Sequence, residues 1–319
     1  MIVDRFVRRR ASGVDGVQVN LDGGRKREVK NESIVYLNGE FVPKSEAMIP
    51  VEDRGFLFGD GVYEATPAYH GEPFLLDRHL ARLSRSLEGL RIGYDVAAMP
   101  EIHRRLLAEN GLDDVPFSFV YVQVSRGVAP RGHAFPSGAV PPTVYGFANP
   151  IVRPPRSRWE EGFAAVTYPD RRWGRADIKV ISLVANVLAQ QTAVDAGVED
   201  AIFVRDGMAL EGTNNNLFAV LDGTVTTSPA SNYILHGITR GFVLERARAL
   251  GFPVEERAIP VEELRAAEEV FFTGTSTEIR PTVRVDGHPV GNGRVGPVTR
   301  RLFDDYVKMT GSGGDAPAA

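Results

Sequence analysis

Three turn dipeptides constrain how this chain can fold. Asn38-Gly39, Asp206-Gly207 and Asp222-Gly223 each stand between short apolar stretches. Both residues of such a pair tolerate positive φ, which suits the tight turn of a β-hairpin. A further hairpin is expected in VYEATPAYHGEPFLL, residues 62–76. Between these strand pairs the pattern turns helical. Leu80, Leu83, Leu87 and Leu90 share one face of DRHLARLSRSLEGLRI, with Asp77 as its expected N-cap. MPEIHRRLLAENG repeats the pattern and closes at Gly111. FSFVYVQVSRG reads as a strand rich in aromatic and branched residues, and the proline-studded stretch from Pro136 to Pro155 reads as a loop running into a linker.

Beyond the linker come the strand GFAAVTYP, a helix through LVANVLAQQTAVDAG, the two Asp-Gly hairpins and the helix TRGFVLERARALG. The expected organisation is therefore α/β, of α+β character, in two lobes. Residues 34–150 form a smaller domain and 151–309 a larger one, preceded by an N-terminal extension over 1–33 and followed by a tail over 310–319 with a disordered composition. A chain of 319 residues can bury such cores without covalent staples. It must do so, because it has no cysteine. That removes disulfides, zinc thiolates and a thiol nucleophile together, and fits a reducing cytoplasm. The net charge of -4 argues against nucleic acid or an anionic membrane as partner. No apolar stretch is long enough to span a bilayer, and MIVDRFVRRR lacks the apolar stretch of a secretory signal. A cytoplasmic location is expected.

The basic residues carry a sharper clue. Of 37 lysines and arginines only five are lysine, and Lys179 stands alone between residues 45 and 307. Arginine serves for surface charge and anion binding, but its guanidinium stays protonated, whereas a lysine amine can attack a carbonyl. Taken alone, Lys179 in DIKVISLV also suits a lysine that snorkels from a strand end.

Three other segments add to it. Glu211 lies in LEGTNNNLF, where a glycine and small polar residues follow a short strand. In ILHGITRGFVLERA a Gly-Ile-Thr step opens a helix, and a helix N-terminus with free N–H groups attracts phosphate. FFTGTST ends in the hydroxyl cluster Thr275, Ser276 and Thr277. An amine, an acid and an anion cradle are what pyridoxal phosphate requires, together with a trap for a substrate carboxylate.

DRGFLFGDGVYE, HLARL, DIKVISLVANVLA, LEGTNNN, ILHGITR and GTSTEIRP, in this order and spacing, make the chain resemble the class IV aminotransferases of fold type IV from about Ser33 to Val307. The resemblance implies pyridoxal 5'-phosphate as cofactor, tethered to Lys179 and with no metal. It implies that Arg82, Ile238, Thr239 and Thr275 hold the phosphate, that Glu211 pairs with the pyridine nitrogen beside Asn216, and that Leu235 packs against the ring. It also implies a homodimer with the site near the subunit interface.

Within the family, VSRGVAPRGHAFP resembles D-alanine aminotransferases. By that resemblance Arg131, His133 and the tyrosine of VYE, Tyr63, bind the substrate carboxylate, a task to which an arginine fork with a second donor is suited. The expected reaction transfers the amino group of a D-amino acid to a 2-oxo acid. L-branched-chain aminotransferases, R-selective amine transaminases and aminodeoxychorismate lyases of the same fold are the rivals, and a non-catalytic carrier of the cofactor is a rival of another class. One departure stands out: Thr213, Asn214 and Asn215 replace a run of serines near the cofactor. The side-chain pocket is undetermined among Ala65, Pro67 and His70.

Overall fold

The computed structural model describes residues 32–312. Most of the expected N-terminal extension and residues 313–319 of the expected tail lie outside the described residues.

The first sheet draws its strands from before residue 151: β1 (Ile34–Leu37), β2 (Glu40–Pro43), β3 (Gly61–Tyr69), β4 (Glu72–Pro73), β5 (Ser118–Ser125) and β6 (Thr143–Pro150). They lie in the order β2-β1-β6-β5-β3-β4, antiparallel throughout. Asn38-Gly39 and His70-Gly71, all at positive φ, turn its two hairpins. The helices α1 (Arg54–Phe58), α2 (Leu76–Leu90) and α3 (Met99–Glu109) accompany it. Leu80, Leu83 and Leu87 of α2 pack on Val62, Val120, Val122 and Val124. Full burial of each such leucine stabilises the fold by roughly 1.5–3 kcal/mol.

Two expectations are corrected here. Asp77 is not the N-cap of α2: Leu75 holds that position in a left-handed conformation with φ 54°, and Asp77 sits in the first turn. The chain enters α2 straight from the β4 hairpin, so the turn geometry sets the boundary two residues early. Nor is Pro136 to Pro155 a continuous loop. It contains β6, whose eight residues pair with the whole of β5, and the prolines fall at its end and outside it.

The second sheet comprises β7 (Phe163–Pro169), β8 (Asp200–Arg205), β9 (Met208–Ala209), β10 (Asn216–Leu221), β11 (Thr224–Thr227), β12 (Val254–Glu256), β13 (Ile259–Pro260), β14 (Glu269–Gly274), β15 (Glu278–Val285) and β16 (His288–Pro289). Its order is β12-β11-β10-β14-β15-β7-β8-β9-β13, with β16 on β15; the pairs β11/β12, β15/β7 and β7/β8 are parallel. Around it lie α4 (Arg156–Glu161), α5 (Val184–Asp195), α6 (Ile238–Ala249), α7 (Val261–Arg265) and α8 (Pro297–Thr310). Thr310, the first residue of the expected tail, closes α8, and the Ser312 carbonyl accepts a hydrogen bond from Arg153. Tyr69 and Phe117 pack into the core of the second sheet, with Phe218, Phe242 and Tyr306. Buried polar contacts reinforce that seam: the Tyr69 hydroxyl donates to Glu278 at 2.8 Å and lies 3.0 Å from that of Tyr306.

Candidate active site

A cavity of about 430 Å³ lies where β3 and α2 face the start of α6, the end of β14 and the segment preceding α5. Strand alternation sorts the residues of β3. Tyr63 lines the cavity, while Glu64, wholly buried, points the other way. Of the residues left undetermined for the side-chain pocket, none of Ala65, Pro67 and His70 lines the cavity.

Lys179 reaches the cavity on a stretch that adds to the edge of this structure. The Lys179 carbonyl accepts from the Tyr63 N–H at 3.0 Å, Val180 bridges to Val62, and Ile181 N–H donates to Gly61 at 3.1 Å. Its own N–H donates to Ser86 of α2 at 3.2 Å. The Lys179 Nζ then stands 4.0 Å from the centre of the Tyr63 ring.

Arg82 projects from α2 into the same space. Its Nε and Nη2 donate to the two oxygens of Glu64 at 2.9 and 2.6 Å, and its Nη1 to the His236 carbonyl at 3.1 Å. His79 adds a contact to Glu64 at 2.9 Å. Burial alone would raise the Glu64 pKa, but Arg82 and His79 outweigh it and hold the carboxyl well below the usual range. A buried ion pair of this kind fixes the direction of its guanidinium. Just beyond His236, Gly237 is the N-cap of α6, so no side chain caps that helix, and Ile238 and Thr239 line the cavity. A Cβ on Gly237 would stand 2.0 Å from Asn216 Oδ1, so only glycine allows this approach. Thr275 also lines the cavity, its hydroxyl donating to the Ala65 carbonyl at 2.9 Å. The buried hydroxyl of Thr273, on the same wall, has no hydrogen-bond partner among the described residues.

Glu211 closes the other end. Its Oε2 accepts from Asn216 Nδ2 at 2.9 Å and from the Leu235 N–H at 3.0 Å, and its Oε1 from Arg172. Burial outweighs Arg172 and the Leu235 N–H and pushes the carboxyl up to about 7. Arg172 is a site residue that the sequence reading missed. It lines the cavity, donates to both oxygens of Asp170 at 2.9 and 3.1 Å and lies over the Phe203 ring at 4.1 Å.

Thr213, Asn214 and Asn215 behave differently from one another. Thr213 and Asn215 turn their side chains to the buried carboxylate of Asp200, which also accepts from Arg280. Asn214 stays exposed on the cavity wall. A second cavity of about 470 Å³ adjoins the first and shares Tyr63, Leu183, Asn186, Thr213 and Asn214 with it.

The structure thus brings Lys179, Arg82, Glu211, Asn216, Leu235, Ile238, Thr239, Thr275 and Tyr63 to one cavity. It does not bring Arg131 and His133 there. Both are exposed and gather around Phe58, the Arg131 guanidinium 5.2 Å and the His133 ring 5.7 Å from the centre of its ring. Two more arginines stand close by, both held by Asp60, a further cavity residue absent from the sequence reading. Arg54 Nε donates to it at 2.8 Å and Arg126 at 2.7 and 3.0 Å. Burial opposes the charge on Asp60, yet the two guanidinium groups outweigh it and lower its pKa.

Comparison with known proteins gives a consistent picture. The model of the class IV amino-transferase family matches residues 61–285. The chain is 40% identical to the D-alanine aminotransferase of Staphylococcus haemolyticus, over 87% of this chain and 99% of that one. Among solved structures, it is similar to the branched-chain aminotransferase of the archaeon Thermoproteus uzoniensis with norvaline, at a TM-score of 0.77 and 27% identity over 88% of this chain and 96% of that one. The branched-chain amino acid aminotransferase of Escherichia coli gives a TM-score of 0.78 at 28% identity, over 90% and 97%.

Proposed function

Because the chain belongs to the class IV aminotransferases, which work with pyridoxal 5'-phosphate, we propose that it moves the amino group of a D-amino acid to a 2-oxo acid. The observation that carries this reading is the single cavity that holds an amine, a buried acid and an anion cradle at separate points of its wall. The cavity fits the cofactor. An uncapped helix start, a glycine with no room for a Cβ and an unpartnered buried hydroxyl are features that a bound phosphorylated ring would use. Arg82, Ile238, Thr239 and Thr275 would hold the phosphate, Lys179 would be the tether, and Leu235 would pack on the ring. When bound, the cofactor supplies a carbonyl carbon that takes up the amino group and a ring that draws electron density from the substrate α carbon.

The chain's own groups do the rest. Glu211, braced by Asn216 and the Leu235 N–H, would hold a proton at the pyridine nitrogen. Lys179, as the neutral amine, would move the proton at the substrate α carbon. The first 2-oxo acid leaves before the second enters, a ping-pong order. The face of the α carbon turned toward Lys179 sets the handedness.

Tyr63, Arg131 and His133 bind the substrate carboxylate. Since Arg131 and His133 lie outside the cavity of their own chain, we assign the pair to the cavity of a second copy in a homodimer. The face of α5 supports such a pairing: Val184, Val187, Leu188 and Val194 fall on one side of the helix and are 56–73% exposed. A location in the cytoplasm accords with the lack of cysteine. The branched-chain structures favour a second reading, an L-branched-chain aminotransferase. It has no use for the Arg131 and His133 pair.

Subunit complementation tests the reading. Lys179→Ala and Arg131→Ala should each suppress transamination of D-alanine. A refolded equimolar mixture, in which mixed dimers carry one intact site, should recover up to about a quarter of the wild-type activity. Full activity of Lys179→Ala alone refutes the mechanism, and absence of recovery refutes the shared site.

A further inference from the structure

The Arg131 and His133 loop is pinned between the two residues and beyond them by groups that converge on one carboxylate. Arg54 donates through Nε to Asp60 and through Nη1 to the carbonyl of Gly132, the residue between Arg131 and His133, at 2.7 Å. Its guanidinium also lies 4.8 Å from the centre of the Phe58 ring, the ring on which Arg131 and His133 both rest. On the far side, Phe135 sits over Arg126 at 3.8 Å and over Arg91 at 5.2 Å. Arg126 in turn donates to Asp60 and to the carbonyls of Leu90 and Arg91, at the end of α2.

The charges explain why one acid is needed at this point. Arg54, Arg126 and Arg131 crowd a small region around Phe58 and Phe135, and their mutual repulsion would drive the loop outward. Asp60 takes two of the three into ion pairs that are largely buried, with side chains 4–13% exposed, where screening by solvent is weak. Arg131 is left without an acidic partner among the described residues, hence free to meet a substrate carboxylate. Arg54 is buried and reaches two acceptors from two different nitrogens, which a lysine cannot do.

We propose that Asp60 and Arg54 are positioning residues that hold Arg131 and His133 in register for the substrate carboxylate and act on it through that pair. This inference rests on the assignment of Arg131 and His133 as the carboxylate trap. It adds a reason for the pairing of an arginine and an aspartate across DRGFLFGD, six residues apart at the two ends of α1.

The test uses the holoenzyme in single-turnover reactions with D-alanine, which separate the apparent dissociation constant of the donor from the limiting rate. Arg54→Lys and Asp60→Asn should each raise the dissociation constant about tenfold or more while the limiting rate changes less than about threefold. Cofactor affinity, measured by titration of the apoprotein with pyridoxal 5'-phosphate, should stay at the wild-type value in Arg54→Lys. That combination is not expected of a merely structural defect, which would also weaken the cofactor site and slow the limiting step. Should Asp60→Asn fail to fold, Arg54→Lys alone decides. A wild-type dissociation constant, or a fall in limiting rate or cofactor affinity without a change in donor binding, overturns the proposal. Arg131→Ala, run alongside, separates the two levels. If it raises the dissociation constant while Arg54→Lys does not, the positioning inference alone fails; if Arg131→Ala leaves donor binding unchanged, the trap itself is refuted.

Discussion

Glutamine at position 211 should make the cofactor-free protein more stable at alkaline pH while disabling it as an enzyme. Glu211 is buried, and the loss of solvation exceeds what Arg172 and the Leu235 N–H return, so its pKa rises from 4.5 to about 7. Below the unfolded value the group is protonated in both states. Between about 4.5 and about 7 the unfolded chain has released its proton and the folded chain has not, so stability falls as pH rises through this window and levels off above it. A rise from 4.5 to about 7 corresponds to about 3 kcal/mol. Urea unfolding of the apoprotein at fixed concentration, at pH 4.5 and pH 8.5, gives the difference between Glu211→Gln and wild type at each pH. Other titrating groups cancel in that difference, which should shift by about 3 kcal/mol in favour of the variant as the pH is raised. A difference independent of pH would show that Arg172 dominates and that Glu211 ionises at or below its usual range. A shift in the opposite direction would refute the burial argument outright.

Other consequences follow from close contacts. Gly237→Ala places a Cβ 2.0 Å from Asn216 Oδ1 and must displace either the start of α6 or the donor to Glu211. Fluorescence titration should show cofactor affinity reduced by about tenfold or more, and unchanged affinity would mean that α6 does not hold the phosphate. Leu83→Ala removes a wholly buried side chain between α2 and the first sheet. It should destabilise the fold by about 2–5 kcal/mol in urea unfolding, and a loss under 1 kcal/mol would mean that α2 is held by its polar contacts rather than by packing.

The sequence and the structure agree where a local rule decides the outcome. Positive φ at Asn38-Gly39, Asp206-Gly207 and Asp222-Gly223 is a property of those dipeptides, and the three hairpins form around them. The leucine spacing of α2 likewise depends only on the helical period. Lys179, Glu211 and the start of α6 were legible because each lies in a short segment with its own chemical character. Arg172 was not, since in an arginine-rich chain nothing local marks the one guanidinium that will face both Asp170 and Glu211. Asp60 was hidden for the same reason: its partners Arg54 and Arg126 lie 6 and 66 residues away, and only the fold brings them together. The bends at Thr213 and Asn215 toward Asp200 depend on β8 lying beneath them, which no pattern in LEGTNNN records. Strand β6 was obscured by the prolines around it, although its pairing with β5 overrides them.

The most direct measurement of the central claim is the half-reaction of the purified holoenzyme with D-alanine and with L-leucine in parallel, without a 2-oxo acid, followed by the visible absorbance of the cofactor. The account predicts that D-alanine bleaches the band and releases pyruvate while L-leucine leaves it unchanged. Bleaching by L-leucine alone would contradict the D-amino acid assignment, and a band that responds to neither donor would contradict transamination of both.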